Sequence, residues 1–277
     1  MKHTKLGISS YSLTYAVGVP GFELKTPLDA FGLVDKAVEL GVSVLQIADN
    51  CPLDKLPAQR LNELAAYGKK RGIEFEVGTR GITNERLNRY IDITKILDAH
   101  LLRVVIDAPG FQPDVDAIIK LIRGIVPRLE ETGIILGIEN HDRFTSDVFE
   151  YIVQSIDSTN VGIVLDTVNS FSCEENTETV LKHLAKYTVN FHVKDYTIKR
   201  IENSMGLIVI GTPAGQGRLN IPEVERRLMS EAMCDYSSIL ELWMPQAEDI
   251  ETTLLNEDHW VRESIAYLNN VITELGS

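Results

Sequence analysis

One pattern runs the length of this chain: a short apolar run, a segment of helical period, and then the next apolar run. Residues 6–12 read as a strand. Residues 27–40 follow with Leu28, Phe31, Val34 and Val38 spaced three and four apart, and Gly41 stops that helix. The alternation continues through strands at 44–48, 74–78, 101–106, 134–139, 161–166, 188–193 and 238–242. Helices are expected at 57–70, 84–97, 114–131, 146–155, 177–185 and 258–275. Strands alternating with helices imply right-handed βαβ crossovers and a parallel sheet. Runs that are apolar throughout fit strands covered on both faces. About eight such units predict an α/β fold, a (β/α)8 TIM barrel, which typically takes about 250 residues. Residues 1–277 would form it as one domain. The alternative, a doubly wound sheet, should open on GxGxxG after its first strand, and GISSYS carries no such turn. The longest irregular stretch is expected at 196–222, with GTPAGQGRLN as a loop folding over the barrel mouth.

In such a barrel the chemistry sits where the strands end. The run IILGIENHD drives an apolar strand into a carboxylate, Glu139. VGIVLD ends in Asp166, VNFHVKD carries His192 and SSILEL carries Glu241. Taken singly, each has an ordinary structural role: a strand-end acid is often a helix cap, and a buried histidine is often just hydrogen-bonded. Together they bring three carboxylates and an imidazole to one rim. Burying that much negative charge is very unfavourable unless a cation neutralises it. The pattern therefore predicts a site for one divalent metal ion. Oxygen ligands with one nitrogen suit Mn²⁺, Mg²⁺, Co²⁺ or Zn²⁺, and ligand type alone does not choose among them; Mn²⁺ is the ion expected first.

The order IEN, LDTVNS, FHVKD, LELW resembles the xylose-isomerase-like TIM barrels, the sugar phosphate isomerase/epimerase superfamily. The resemblance covers nearly the whole chain, is strongest over 134–243 and includes GTPAGQGRLN. It implies that Glu139, Asp166, His192 and Glu241 hold the metal. It also implies that Glu139 and Glu241 exchange protons with substrate from opposite faces through an enediolate. The chemistry agrees: proton transfer beside a carbonyl needs a base on one face, an acid on the other, and a Lewis acid on the oxygen. One position departs from the pattern. Epimerases of the family carry a histidine three residues after the sixth-strand aspartate, where this chain has Asn169, an amide that carries no proton. His141, two residues beyond Glu139 on the same side, Lys194 and Arg200 are further candidates for substrate contact, alongside Asn169. Tyr11, Tyr15 and Trp243 are candidates for an apolar wall.

The expected activity is a metal-dependent isomerisation or epimerisation of a ketose or keto-sugar. Elimination by a lyase or dehydratase on a keto-sugar, an inosose or a 3-keto-glycoside is the alternative. An apurinic endonuclease would need more histidines and a basic groove. Only six histidines occur, of which His3, His100, His183 and His259 lie away from the strand ends, and the net charge is −13. A non-catalytic carbohydrate-binding protein would have no use for two bracketing glutamates. The partner is then a small carbohydrate, with no nucleic acid, no membrane and room for a homo-oligomer. Three scattered cysteines without CxxC spacing, and an N-terminus broken by Ser9, Ser10, Ser12 and Thr14, point to a cytoplasmic protein.

Overall fold

The apolar runs become strands because they are covered on both faces: every residue of Val44–Ile47, Leu101–Val105 and Val161–Asp166 is buried. The computed structural model describes residues 4–22, 24–202 and 205–276, so that His3 falls outside it. Eight parallel strands close on themselves. In chain order they are β1 (Thr4–Ser9), β2 (Val44–Ile47), β3 (Glu74–Arg80), β4 (Leu101–Val105), β5 (Ile135–Glu139), β6 (Val161–Asp166) and β7 (Thr188–Val193). After a separate antiparallel hairpin of β8 (Asp195–Arg200) and β9 (Leu207–Thr212), β10 (Tyr236–Leu240) completes the ring. Closure is made by β1, which pairs Gly7 with Val44 on one side and with Ile239 on the other. The helices lie outside and bury residues such as Leu33, Leu64, Ile91, Ile122 and Phe149 in the layer between them and the barrel. The expected (β/α)8 barrel is the fold observed.

Local chemistry sets the helix ends. The Asp29 carboxylate accepts from the backbone N–H groups of Phe31 and Gly32, so the first long helix starts at Ala30, not at 27. The helix expected over 114–131 is two, Val115–Arg123 and Val126–Thr132. Pro127 has no N–H and would clash with the carbonyl four residues back, so it is accommodated only in the first turn of a new helix. The stretch 196–222 is only partly irregular: 196–200 and 207–212 are strands of the hairpin, 213–220 is a loop, and a helix, Ile221–Glu231, begins at its end under an Asn220 cap. The closing helix starts at Ile250, eight residues before the expected 258, where Asp249 accepts from the Thr252 N–H. No helix among the described residues is long and apolar enough to cross a membrane.

Two features of this frame position the chemistry. The GTPAGQGRLN segment is tied to the end of β7 by Asp195, whose carboxylate accepts from the N–H groups of Gly215, Gly217 and Leu219 at 2.9, 2.9 and 3.0 Å. Gly217 has to be glycine, since a Cβ there would overlap Asp195 Oδ1 and the Tyr196 carbonyl oxygen. The barrel interior, in turn, is polar at mid-height. Gln46, Glu76 and Asn190 hydrogen-bond one another from β2, β3 and β7, which is geometrically open only to side chains pointing inward.

Candidate active site

The strand ends deliver the expected residues to one place. Glu139 and Asp166 are the last residues of β5 and β6, His192 is the penultimate residue of β7, and Glu241 follows β10 directly. All four are at most 1% exposed. Glu139, Asp166 and His192 present ligand-type atoms within 4.8 Å of one another. Glu241 stands at the edge of this trio, its Oε2 3.5 Å from His192 Nδ1. Two buried polar atoms there, His192 Nδ1 and Glu241 Oε1, have no hydrogen-bond partner among the described residues. Asp166 Oδ2 meets Lys194 Nζ at 2.7 Å as an ion pair, while its other oxygen caps the Val168 and Asn169 N–H groups. Carboxylate oxygens and one imidazole nitrogen, buried and converging, suit a divalent cation.

Positive charge from the protein shares this space. Lys194 Nζ lies between Asp166 Oδ2 and Glu241 Oε2, at 2.7 and 2.9 Å. Arg103, in the middle of β4, donates from Nε to Glu139 Oε2 at 2.5 Å, and its Nη2 meets the same oxygen at 2.5 Å as an ion pair. Burial is the largest single influence and would raise the Glu139 carboxyl, but Arg103, His192 and Lys194 together outweigh it and hold Glu139 well below the usual carboxylate range. Burial likewise works against Glu241, and His192 and Lys194 hold it down. Burial pushes His192 down despite the two glutamates, leaving a neutral ring at pH 7. Burial opposes the charge on Lys194, yet Asp166 and Glu241 keep it firmly protonated.

A cavity of about 520 Å³ opens above these groups and is lined by Glu139, Glu241, Lys194, His141 and Arg80, among others. Tyr11, Tyr15 and Trp243 form part of its wall. His141 faces the cavity with Nδ1 2.9 Å from Asp142 Oδ2. Asn169 contacts the acid directly, donating from Nδ2 to Glu139 Oε1 at 2.8 Å, so both Glu139 oxygens are engaged. Arg200 is not brought in: it is exposed on the hairpin, donates to the Met205 carbonyl and does not line the cavity.

The strands of the opposite arc add residues that the sequence pattern does not single out. Asp49, just past β2, accepts from Arg103 Nη1 at 3.0 Å, from Tyr11 Oη at 3.2 Å and from Arg80 Nε at 3.3 Å. Arg80 ends β3, and Asp49 is its one hydrogen-bonding or ionic partner among the described residues. Glu257, from the closing helix, accepts from the Tyr15 and Ala16 N–H groups and also lines the cavity. A signal is present for Arg103: a lone charge inside the apolar run LLRVVI, the same kind of signal that marks Glu241.

The barrel has counterparts among known proteins. The family model described as xylose isomerase-like TIM barrel matches residues 34–271. This chain belongs to that family. A 3-oxo-isoapionate decarboxylase of Pectobacterium atrosepticum is 29% identical to this barrel over 264 residues, covering 95% of this chain and 94% of the relative. Among solved structures, a D-psicose 3-epimerase crystallised in the presence of D-fructose superposes with a TM-score of 0.73 at 16% identity, covering 97% of this chain and 99% of the other. A xylose isomerase-like barrel from Mycobacterium smegmatis in complex with magnesium gives 0.71 at 15% identity, with 99% and 98% covered. At such identities the structures share the fold with this xylose isomerase-like barrel.

Proposed function

We propose that this protein is a divalent-metal-dependent lyase that removes carbon dioxide from a 3-keto sugar acid. The observation that carries this reading is the state of Glu139. An isomerase needs a carboxylate that takes a proton from carbon and gives one back, tuned towards neutral pH. Glu139 is ionised beside Arg103, with hydrogen bonds on both oxygens. Such a group holds charge in place and is a poor base.

Decarboxylation asks for other things. The bond between the carboxylate carbon and its neighbour breaks, carbon dioxide leaves, and the electron pair passes to the keto oxygen as an enolate. The enolate carbon then takes one proton from an acid. No C–H proton has to be removed. Glu139, Asp166, His192 and Glu241 would hold a divalent cation, which would supply a Lewis acid for the developing negative charge. Lys194, kept protonated between Asp166 and Glu241, adds fixed positive charge at the same place. Arg80 commits only Nε to Asp49, and its fork suits the substrate carboxylate. Among the cavity groups that carry a proton at neutral pH are Lys194 and Tyr11, whose phenol burial and Asp49 push up to about 12. Either can serve the final protonation. The decarboxylase relative supports the same reaction class.

Epimerisation of a ketose is the second reading, favoured by Glu139 and Glu241 both lining the cavity. One experiment separates the two. The protein is incubated in D₂O with Mn²⁺ and either 3-oxo-isoapionate or neutral ketoses, following carbon dioxide release and proton NMR. The lyase releases carbon dioxide in step with one deuterium entering the product. Deuterium appearing in recovered ketose, with no carbon dioxide from any 3-keto acid, overturns the proposal in favour of the epimerase.

A further inference from the structure

Beneath the converging acids lies a second layer of buried polar side chains that the proposed reaction does not use. Gln46, Glu76, Asn190 and Ser237 are at most 8% exposed. Strand register places Gln46 beside Glu76 and Asn190 beside Ser237. Gln46 Nε2 donates to Glu76 Oε2 at 3.0 Å and, more weakly, to Asn190 Oδ1 at 3.4 Å. Asn190 Nδ2 donates to Glu76 Oε2 at 2.9 Å and to Ser237 Oγ at 2.8 Å. Ser237 Oγ closes the network on Glu76 Oε1. The upward-facing end of the network is Gln46 Oε1, which is 2.8 Å from His192 Nε2.

An amide presents a donor at one end and an acceptor at the other, so its direction carries information. Glu76 Oε2 accepts, and it therefore takes the NH₂ end of Gln46. That leaves only the Gln46 carbonyl for His192. A carbonyl cannot donate, so Nε2 must carry the hydrogen and Nδ1 must carry the lone pair. Nδ1 is the nitrogen that faces Glu139 and Glu241, at 3.4 and 3.5 Å, without a hydrogen-bond partner. Were Gln46 reversed, its NH₂ would claim the Nε2 lone pair, and the proton would move to Nδ1, where a cation has to bind.

We infer that Glu76 and Gln46 are positioning residues for the metal: Glu76 fixes the direction of the Gln46 amide, and Gln46 fixes the His192 tautomer that leaves Nδ1 as the donor. The inference rests on the metal reading of the site but not on the reaction class. Outer partners of a metal-bound histidine typically contribute 10- to 100-fold in affinity.

The test uses ¹⁵N-histidine NMR of the metal-free protein, together with Mn²⁺ affinity by competition with a chelator. The wild type should show His192 protonated at Nε2. Gln46→Leu and Glu76→Leu should each mix or reverse the tautomer and weaken Mn²⁺ binding about 10- to 100-fold. Glu76→Gln, which keeps an acceptor where Oε2 stands, should restore wild-type behaviour in both measurements. Folded leucine variants with unchanged tautomer and affinity overturn the inference. So does a wild-type ring protonated at Nδ1, a result that needs no variant to fold. Wild-type protein without Mn²⁺ affinity would instead overturn the metal reading, while the tautomers of the variants still decide the amide lock.

Discussion

Arg103 shows how one side chain sets the character of its neighbours. It is 2% exposed and reaches Glu139 and Asp49 together, so its removal leaves the fully buried Glu139 without its guanidinium partner, while Asp49 keeps Arg80 and Tyr11. Breaking a buried pair from one side typically costs about 3–5 kcal/mol. Arg103→Met should lower unfolding stability by about that amount in urea denaturation, and Arg103→Lys should recover only part of it because the fork is lost. A change of less than about 0.5 kcal/mol, the size of an ordinary surface substitution, would mean that the pair is not formed. Arg80 calls for a functional measurement. Arg80→Leu should raise KM for a 3-keto acid about tenfold or more, the worth of a hydrogen-bonded charge at about 1.5–3 kcal/mol, with kcat little changed. Equal KM values for the acid in both proteins would remove Arg80 from carboxylate recognition. Much of the site at this scale is legible in the sequence alone. Glu139, Asp166, His192 and Glu241 can be read because each stands at or beside the end of an apolar run. Arg80 and Asp49 end strands too, but a basic residue and an acid on different strands form no recognisable ligand set until the barrel closes and brings them together.

Among the secondary elements, sequence patterns locate strands well and some helix boundaries poorly. Strands come through because burial on both faces writes an unbroken apolar run. The helix expected over 114–131 divides because Pro127 sits inside a strong hydrophobic period, and period alone does not register a missing N–H. The hairpin reads as irregular because Leu207, Ile208 and Val209 are exposed, so burial imposes no simple alternation on β9. The helix Ile221–Glu231 is hidden by the glycines just before it, which read as loop, although Asn220 and Pro222 mark its start. Those glycines have a testable purpose. Gly217→Ala should displace Asp195 from its three N–H donors, lower the melting temperature and reduce turnover through the loop beside Trp243. Gly276→Ala, where a Cβ would meet nothing within 4 Å, is the matched control. Equal melting temperatures for the two variants would show that the Asp195 clasp does not hold this loop.

For the molecule as a whole, two buried acids give stability a pH dependence of unusual sign. Burial pushes Glu76 and Glu257 up to about 7, against about 4.3 in an unfolded chain. A raised carboxyl favours the folded state fully below its unfolded value, and that contribution is lost as pH rises through the folded one. These two acids should therefore contribute a fall in unfolding free energy between about pH 5 and about pH 8, and Glu257→Gln or Glu76→Gln should each remove its share of that fall. A pH dependence of stability identical in wild type and both variants would show that neither acid is held neutral. The closed barrel, finally, has two unlike arcs. β5, β6, β7 and the turn after β10 carry Glu139, Asp166, His192 and Glu241, while β2, β3 and β4 carry Asp49, Arg80 and Arg103. The arcs meet at Arg103 on Glu139 and at Gln46 on His192. A directed-evolution library confined to positions around Asp49 and Arg80 should therefore change what the cavity accepts while leaving the acidic arc untouched.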